Sequence, residues 1–320
     1  MHRVSAFKIL FLILFAILVV AFIPFGSPKP ILYVVRQTGI VAQEKVPGEK
    51  WLQWLYYNPV GQLSLEALAK RKFLSEWYGS KMDSPKSAQR ITEFISEFQI
   101  DMSIARETQF ASFNEFFYRK IKAESRPINA DSLLVVSPAD GKVLVFSDLA
   151  EQDFFIKGNK FRLNDFLKND SLTKIFNQGS LAIIRLCPTD YHRYHFPVDG
   201  EIVHEQKIDG DYYSVSPLAL RKNLEIWGQN KREYTVIQSP VFGDIIMCEV
   251  GATMVGSMIS TYEKNIVAKG EEKGFFKFGG STVVLIFQKN AVQFDDDLIQ
   301  NTLKGLETEI KLGERIATKM

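Results

Sequence analysis

The longest apolar run of the chain lies near its start. Ile9 to Ile23 is fifteen residues without a polar side chain, preceded by Arg3 and Lys8 and ended by Pro24 and Gly26. A helix that spans a bilayer needs about 17–25 residues. With Val4, Ala6, Phe7 and Phe25 added, the run either just crosses or inserts partway. A signal-peptide core has a similar length, but no small-x-small cleavage site follows. Arg3 and Lys8 on one side face Lys29 and Arg36 on the other, so charge sets no orientation. Residues 1–26 are read as a membrane-associating segment.

Residues 27–50, with Pro28, Pro30, Pro47 and Gly48, read as an irregular linker. Trp51, Trp54, Leu55, Tyr56 and Tyr57 follow as an aromatic cluster, suited either to a core or to a lipid headgroup belt. Three helical stripes come next. Leu65, Leu68, Ala69, Phe73 and Trp77 form the first, with Lys70, Arg71 and Lys72 making a basic face. Ser84-Pro85 reads as a cap and first helical residue before Ile91, Phe94, Ile95 and Phe98. Phe110, Phe113, Phe116, Phe117 and Ile121 make the third. Core packing accounts for all three stripes; a membrane-facing groove is the sharper reading for one of them. Residues 51–130 are expected to be a helical, membrane-proximal region.

From residue 133 the period shortens. LLVV at 133–136, KVLVF at 142–146, LAIIRL at 181–186, EIVHE at 201–205, DIIMCEV at 244–250 and STVVLIF at 281–287 read as strands. Asp140-Gly141, Asp199-Gly200 and Gly243-Asp244 are turn signals. No helical pattern alternates with these runs, which argues against a doubly wound sheet. The expected fold is α+β: an N-terminal apolar anchor and helices, then a mainly antiparallel β-sandwich or barrel-like body over residues 131–320.

Composition changes this picture little. Apolar residues make up 46% and charged residues 24% of the 320, as in ordinary globular chains, and the net charge of +2 argues for no nucleic-acid partner. Cys187 and Cys248, both in apolar runs, read as buried thiols rather than a disulfide or metal pair.

Four histidines are present, and two of them, His192 and His195, fall in CPTDYHRYHFPVDG beside Asp190, Arg193 and two tyrosines. Polar loop positions explain a lone histidine; a cluster of this kind favours chemistry. HExxH spacing is absent, so no metal is expected. Asp140, in VVSPADG, is either a plain turn residue or a carboxylate that orients a histidine. Ser281 opens a hydrophobic strand after Gly279 and Gly280, which allow a sharp bend and close approach. This is not the G-x-S-x-G elbow of lipase-type hydrolases.

Taken together, these stretches resemble the phosphatidylserine decarboxylase proenzyme family. The resemblance is carried by FNEFFYRKIKAESRPI at 113–128, VVSPADGKV at 135–143, CPTDYHRYHFPVDG at 187–200, VGATMVGSM at 250–258 and FGGSTVVLIF at 278–287, with YYNPVG at 56–61. It covers residues 51 to about 290, and the cleavage motif has the G-G-S-T form.

The resemblance implies a self-cutting enzyme. Cleavage between Gly280 and Ser281 would give a β chain of residues 1–280 and an α chain of residues 281–320 that stay associated. Ser281 would become a covalent pyruvoyl group, the cofactor that forms a Schiff base with the substrate amine. The family's self-processing aspartate and histidine fall on Asp140 and His195, with His195 oriented by Asp140 to deprotonate Ser281. The histidine linked to substrate handling falls on His192. The implied reaction turns phosphatidylserine into phosphatidylethanolamine and CO2 at a membrane, on the cytoplasmic face of a bacterial-type inner membrane. Met254, Val255 and Met258 either help line a lipid-facing mouth or pack in the core. A homo-oligomer stays open, as do two rival functions: a pyruvoyl-dependent decarboxylase of a soluble amino acid, and a non-catalytic membrane β-domain.

Overall fold

The computed structural model describes residues 6–23, 29–149, 155–156, 159–160, 162–222, 226–252 and 258–320. Arg3, Pro24, Gly26, Met254 and Val255 lie outside the described residues.

Ten strands form one sheet in the order Ile266–Val267, Gly200–Ile208, Arg232–Ser239, Gly243–Val250, Ser281–Phe287, Ser180–Leu186, Gly141–Phe146, Glu307–Ile310, Leu32–Val34 and Val41–Gln43. Neighbours run antiparallel except Leu32–Val34 beside Glu307–Ile310, which is parallel. The stretch read as an irregular linker thus supplies two strands of the sheet. The sheet is open, which corrects the barrel-like part of the expectation. Its end strands, Ile266–Val267 and Val41–Gln43, are too short to extend the ladder into a closed ring.

The central strand Ser281–Phe287 is buried along its whole length. Its side chains alternate between two apolar layers: Val283, Leu285 and Phe287 enter one cluster, Val284 and Ile286 the other. Two three-stranded sheets cover the first face. One comprises Met258–Ser260, Glu272–Phe276 and Arg193–His195; the other comprises Val292–Phe294, Arg315–Lys319 and Leu134–Val136. Tyr194, Phe276, Val135, Phe294 and Ile316 bring their side chains into that layer, and Met258 packs against it. Helical segments cover the second face through Leu55, Tyr56, Leu65, Phe166, Phe176, Leu220 and Trp227. Burial of both faces explains why this strand reads as an unbroken apolar run rather than an alternation.

A third cluster joins the helical region to the sheet. Met82, Phe113, Phe116 and Phe117 are buried there, with Tyr78, Phe94, Phe110 and Phe278 packed around them. The third aromatic stripe is therefore core. The first stripe splits: Leu65 and Ala69 are buried, while Leu68, Phe73 and Trp77 are exposed, as are Trp51, Val60 and Leu63.

The N-terminal run forms the helix Ala6–Phe22, of 17 residues. Ile9 to Ile13 and Phe15 are exposed. Its end is tied to the body, since the Trp54 indole donates to Ala21 O (2.7 Å) and the Asn58 amide to Ile23 O (2.5 Å). Asn58 also caps the next helix, Pro59–Ser64, by accepting from the amides of Val60 and Gly61. Among the described residues no helix is long and apolar enough to cross a membrane.

Candidate active site

Ser281 stands at the first position of the central strand, on the face shared with Val283, and is fully buried. The segment leading to it is held from the helical side. Phe278 N donates to Asn114 Oδ1 (2.7 Å), whose amide nitrogen donates to Asp83 (2.9 Å), and Lys277 pairs with Asp83 at 3.0 Å. The Phe278 ring lies edge-on to Phe113 and Phe117. Between this anchor and the strand, Gly279 has φ +140°, a conformation that favours glycine, and a Cβ on Gly280 would meet Val215 Cγ2 at 3.1 Å. The Gly280–Ser281 bond is thus a short bridge between two fixed points.

His192 is the histidine that meets it: Ser281 Oγ lies 3.4 Å from His192 Nδ1. The other ring nitrogen, Nε2, is 2.8 Å from Cys187 O. A carbonyl can only accept, so Nε2 carries the proton and the Nδ1 lone pair faces the serine hydroxyl. A tight turn sets this geometry. Asp190 N donates to Cys187 O, and Asp190 Oδ2 accepts from Cys187 N at 2.7 Å. Phe117 stacks on the imidazole with ring centroids 3.8 Å apart. Burial pushes the His192 pKa down to about 3, more than nearby Asp190 and the bond to Cys187 O offset. The ring is neutral at pH 7.

His195 lies elsewhere in the same layer. Its Nδ1 donates to Gly270 O (3.0 Å) and its Nε2 lies 3.3 Å from the Tyr191 hydroxyl. Burial lowers the His195 pKa and raises that of Tyr191. Asp140 does not bond to either histidine. Arg126 grips both of its oxygens, at 2.9 and 2.6 Å, and the Leu312 amide donates to Oδ1 at 2.8 Å. The expected chain from Asp140 through His195 to Ser281 is therefore not the hydrogen-bond arrangement here. Ser281 is paired with His192, whose orienting group is the Cys187 carbonyl, and the charge of Asp140 acts on His195 only from a distance. The reason is the turn at residues 187–190, which rotates His192 inward while the strand Arg193–His195 carries His195 toward Gly270.

Beside His195 a cavity of about 460 Å³ opens between Arg106, Lys120, Lys122, Arg126, Tyr191 and Glu272. The bridge between Ala105 and Ile121 holds its two rim loops together. Phe117, Asn114, Tyr191 and Arg126 were not singled out as site residues in the sequence reading. All lie in the quoted motifs, so motif position was the one signal that could have found them.

The two cysteines are free and buried. Cys187 belongs to a polar cluster under the site: its thiol donates to Glu44 (2.8 Å), and Arg185 pairs with both Glu44 and Glu307 at 2.6 Å. Burial alone would raise the Glu44 pKa, but Arg185 brings it down to about 2. Among the described residues no group of three or more His, Cys, Asp or Glu side chains is arranged to hold a metal ion.

Comparison with known proteins agrees with the motifs. The phosphatidylserine decarboxylase family model matches residues 113–318. A phosphatidylserine decarboxylase proenzyme of Fusobacterium nucleatum is 50% identical over 295 residues, covering 91% of this chain and 98% of the relative. One from Clostridium botulinum (strain Langeland) is 47% identical, covering 86% of this chain and 95% of the relative. One from Clostridium novyi is 43% identical, covering 89% and 98%. The chain belongs to the phosphatidylserine decarboxylase family.

Proposed function

We propose that the chain is the proenzyme of a phosphatidylserine decarboxylase that cuts itself between Gly280 and Ser281 and carries a pyruvoyl group at residue 281. The observation that carries this reading is the buried Ser281 hydroxyl, 3.4 Å from an unprotonated imidazole nitrogen at the end of a Gly-Gly bend. Ser281 Oγ attacks the Gly280 carbonyl carbon, and the amide becomes an ester. Loss of the α-proton and of the Gly280 carboxylate from Cβ then leaves an enamine that water converts to the ketone and ammonia. The residues present fit this product, because residue 281 starts a rigid central strand and faces a neutral imidazole.

Two histidines divide the proton work. His192 faces residue 281 through an unprotonated nitrogen, which assigns it to the substrate step as a relay that must first take up a proton before passing it to the substrate carbon. With a pKa near 3 it is a weak base for the uncut serine. His195, supported by the charge of Asp140, is assigned to self-processing and must leave the Tyr191 hydroxyl to act. When in place, the pyruvoyl group supplies the electron sink for the carbanion left by loss of CO2. The cation-lined cavity beside His195 suits a headgroup that bears both a phosphate and a carboxylate.

Membrane association belongs to the same proposal. The exposed side chains of the helix Ala6–Phe22, together with Leu63, Leu68, Phe73 and Trp77, form apolar surface fit for insertion into one leaflet. The deciding experiment follows CO2 release by purified protein with phosphatidylserine in micelles and with free serine. Release from the lipid alone supports the reading. Release from free serine alone would move the chain to the soluble amino-acid decarboxylases, and release from neither, by correctly folded protein, would remove the activity.

A further inference from the structure

A cavity of about 400 Å³ lies on the face of the large sheet opposite Ser281. The alternation of the strand Gly141–Phe146 shows the separation: Val143 and Val145 enter the layer on Ser281's side, while Leu144 and Phe146 line the cavity. Ile31, Leu32, Pro217, Leu220, Trp227 and Leu306 supply most of its remaining wall. Volume and lining are those of a small-molecule site. The Trp227 ring forms part of the wall, while its indole N–H is buried away from the open space. One polar feature, at the rim, points to an occupant. There the Arg221 guanidinium donates to the backbone carbonyls of Lys29 and Pro30 and, among the described residues, is paired with no carboxylate. Lys29 is exposed beside it and Lys222 lies over the Tyr57 ring, so the mouth is cationic. Glu307, the acid in the lining, is already held by Arg185.

The location narrows the ligand class. The helix Pro217–Leu220 packs on Glu49–Tyr57, and the latter carries Trp54, which holds the end of the apolar N-terminal helix through Ala21 O. The mouth is therefore on the side of the molecule where its most exposed apolar surface lies.

We propose that this cavity takes one acyl chain of an anionic phospholipid, with the headgroup phosphate at Arg221. The site lies behind the catalytic face, so it holds the enzyme to the bilayer rather than presenting a substrate. The proposal stands independently of the chemistry at Ser281.

The test uses the full chain with Trp51, Trp54 and Trp77 replaced by Phe, leaving Trp227 as the sole indole. Dilute phosphatidylglycerol with brominated acyl chains, in detergent micelles, should quench its emission at least twofold relative to the unbrominated lipid. Leu144→Phe with Leu306→Phe, which fills the cavity, should abolish that difference. Arg221→Glu should weaken the apparent affinity for brominated phosphatidylglycerol about tenfold and that for brominated phosphatidylcholine far less. Trp227 emission indifferent to bromine overturns the proposal. So does quenching that survives both the filled cavity and Arg221→Glu, since Trp227 would then be sensing micelles in general. The Arg221→Glu arm keeps the test decisive if the filled variant does not fold. CO2 release by the same preparations shows separately whether the decarboxylase reading holds.

Discussion

His192 Nδ1 lies 3.4 Å from Ser281 Oγ, and nothing else in the CPTDYHRYHFPVDG stretch bonds to that hydroxyl. Replacing the hydroxyl is the most direct test of its use. Ser281→Ala should remain one chain of about 36.5 kDa, whereas wild-type protein should give two, residues 1–280 and 281–320, with the smaller blocked at its N-terminus. Intact mass measured under protease inhibition decides it. An active wild-type enzyme with an uncut, unmodified Ser281 would end the pyruvoyl reading.

The two histidines should separate on substitution. His192→Ala should still be cut but lose turnover by about 10²–10⁴-fold, the usual contribution of a positioned proton-transfer group. His195→Ala and Asp140→Asn should accumulate precursor; the second also leaves the half-buried Arg126 with a weakened partner. Band patterns and CO2 release on the same samples read both effects. A His192→Ala chain that stays whole would hand the first proton transfer to His192.

Burial of neutral His192 also has a sign in stability. Its folded pKa is about 3 against an ordinary 6.5, so the unfolded state binds the proton first. This group favours unfolding increasingly as pH falls from 6.5 toward 3. In the Ser281→Ala background, which stays whole, His192→Phe should flatten the acid limb of urea midpoints plotted against pH. An unchanged limb would mean that His192 is not buried neutral.

Glu249 and Lys273 form a buried ion pair at 2.6 Å between the large sheet and the strand Glu272–Phe276, and Glu249 Oε1 has no partner among the described residues. Burial raises the Glu249 pKa to about 7 despite Lys273. The stability from this protonated carboxyl is complete below 4.5, the unfolded value, and is lost as pH rises through about 7. Lys273→Met alone should cost about 3–5 kcal/mol at pH 8 by stranding Glu249, while Glu249→Leu with Lys273→Met should recover most of it. Urea denaturation of the Ser281→Ala precursor and its variants gives both numbers. Equal stability of the single and double variants would show that the pair is not buried as described.

Removal of residues 1–26 should weaken membrane attachment while leaving self-cutting intact, because Ser281, His192, Asp140 and their partners lie elsewhere. Vesicle sedimentation checks it. Full-length protein that stays in the supernatant with phospholipid vesicles would count against the exposed helix Ala6–Phe22 as an anchor.

Much of the fold was readable because both faces of the sheet are buried. STVVLIF, LAIIRL and DIIMCEV stand out as apolar runs and match the strands Ser281–Phe287, Ser180–Leu186 and Gly243–Val250 closely. The strand Arg232–Ser239 was missed since it opens on Arg and Glu. Arg232 is nevertheless almost wholly buried, its guanidinium satisfied by the carbonyls of Phe166, Asn230 and Asp165. The strand Leu32–Val34 was hidden for a different reason: its partner, Glu307–Ile310, comes from the far end of the chain, and no local pattern announces such a pairing. At the site, motif order brought out Ser281, His192, His195 and Asp140. Which histidine faces the serine depends on the turn clamped by Cys187 and Asp190, and which residue holds Asp140 depends on Arg126; spacing encodes neither.

The strand Ser281–Phe287 is hydrogen-bonded along both edges, to Gly243–Val250 and to Ser180–Leu186. A cut just before it therefore changes the molecularity of folding without changing the fold. The uncut chain can refold at any dilution, since all its strands are tethered. Once cut and unfolded, residues 281–320 must find their slot in the sheet by diffusion, and recovery becomes dependent on concentration. With the proposed cut at Gly280–Ser281, maturation becomes a one-way event: the chain folds first, cuts second, and then relies on slow unfolding of the sheet for its working lifetime.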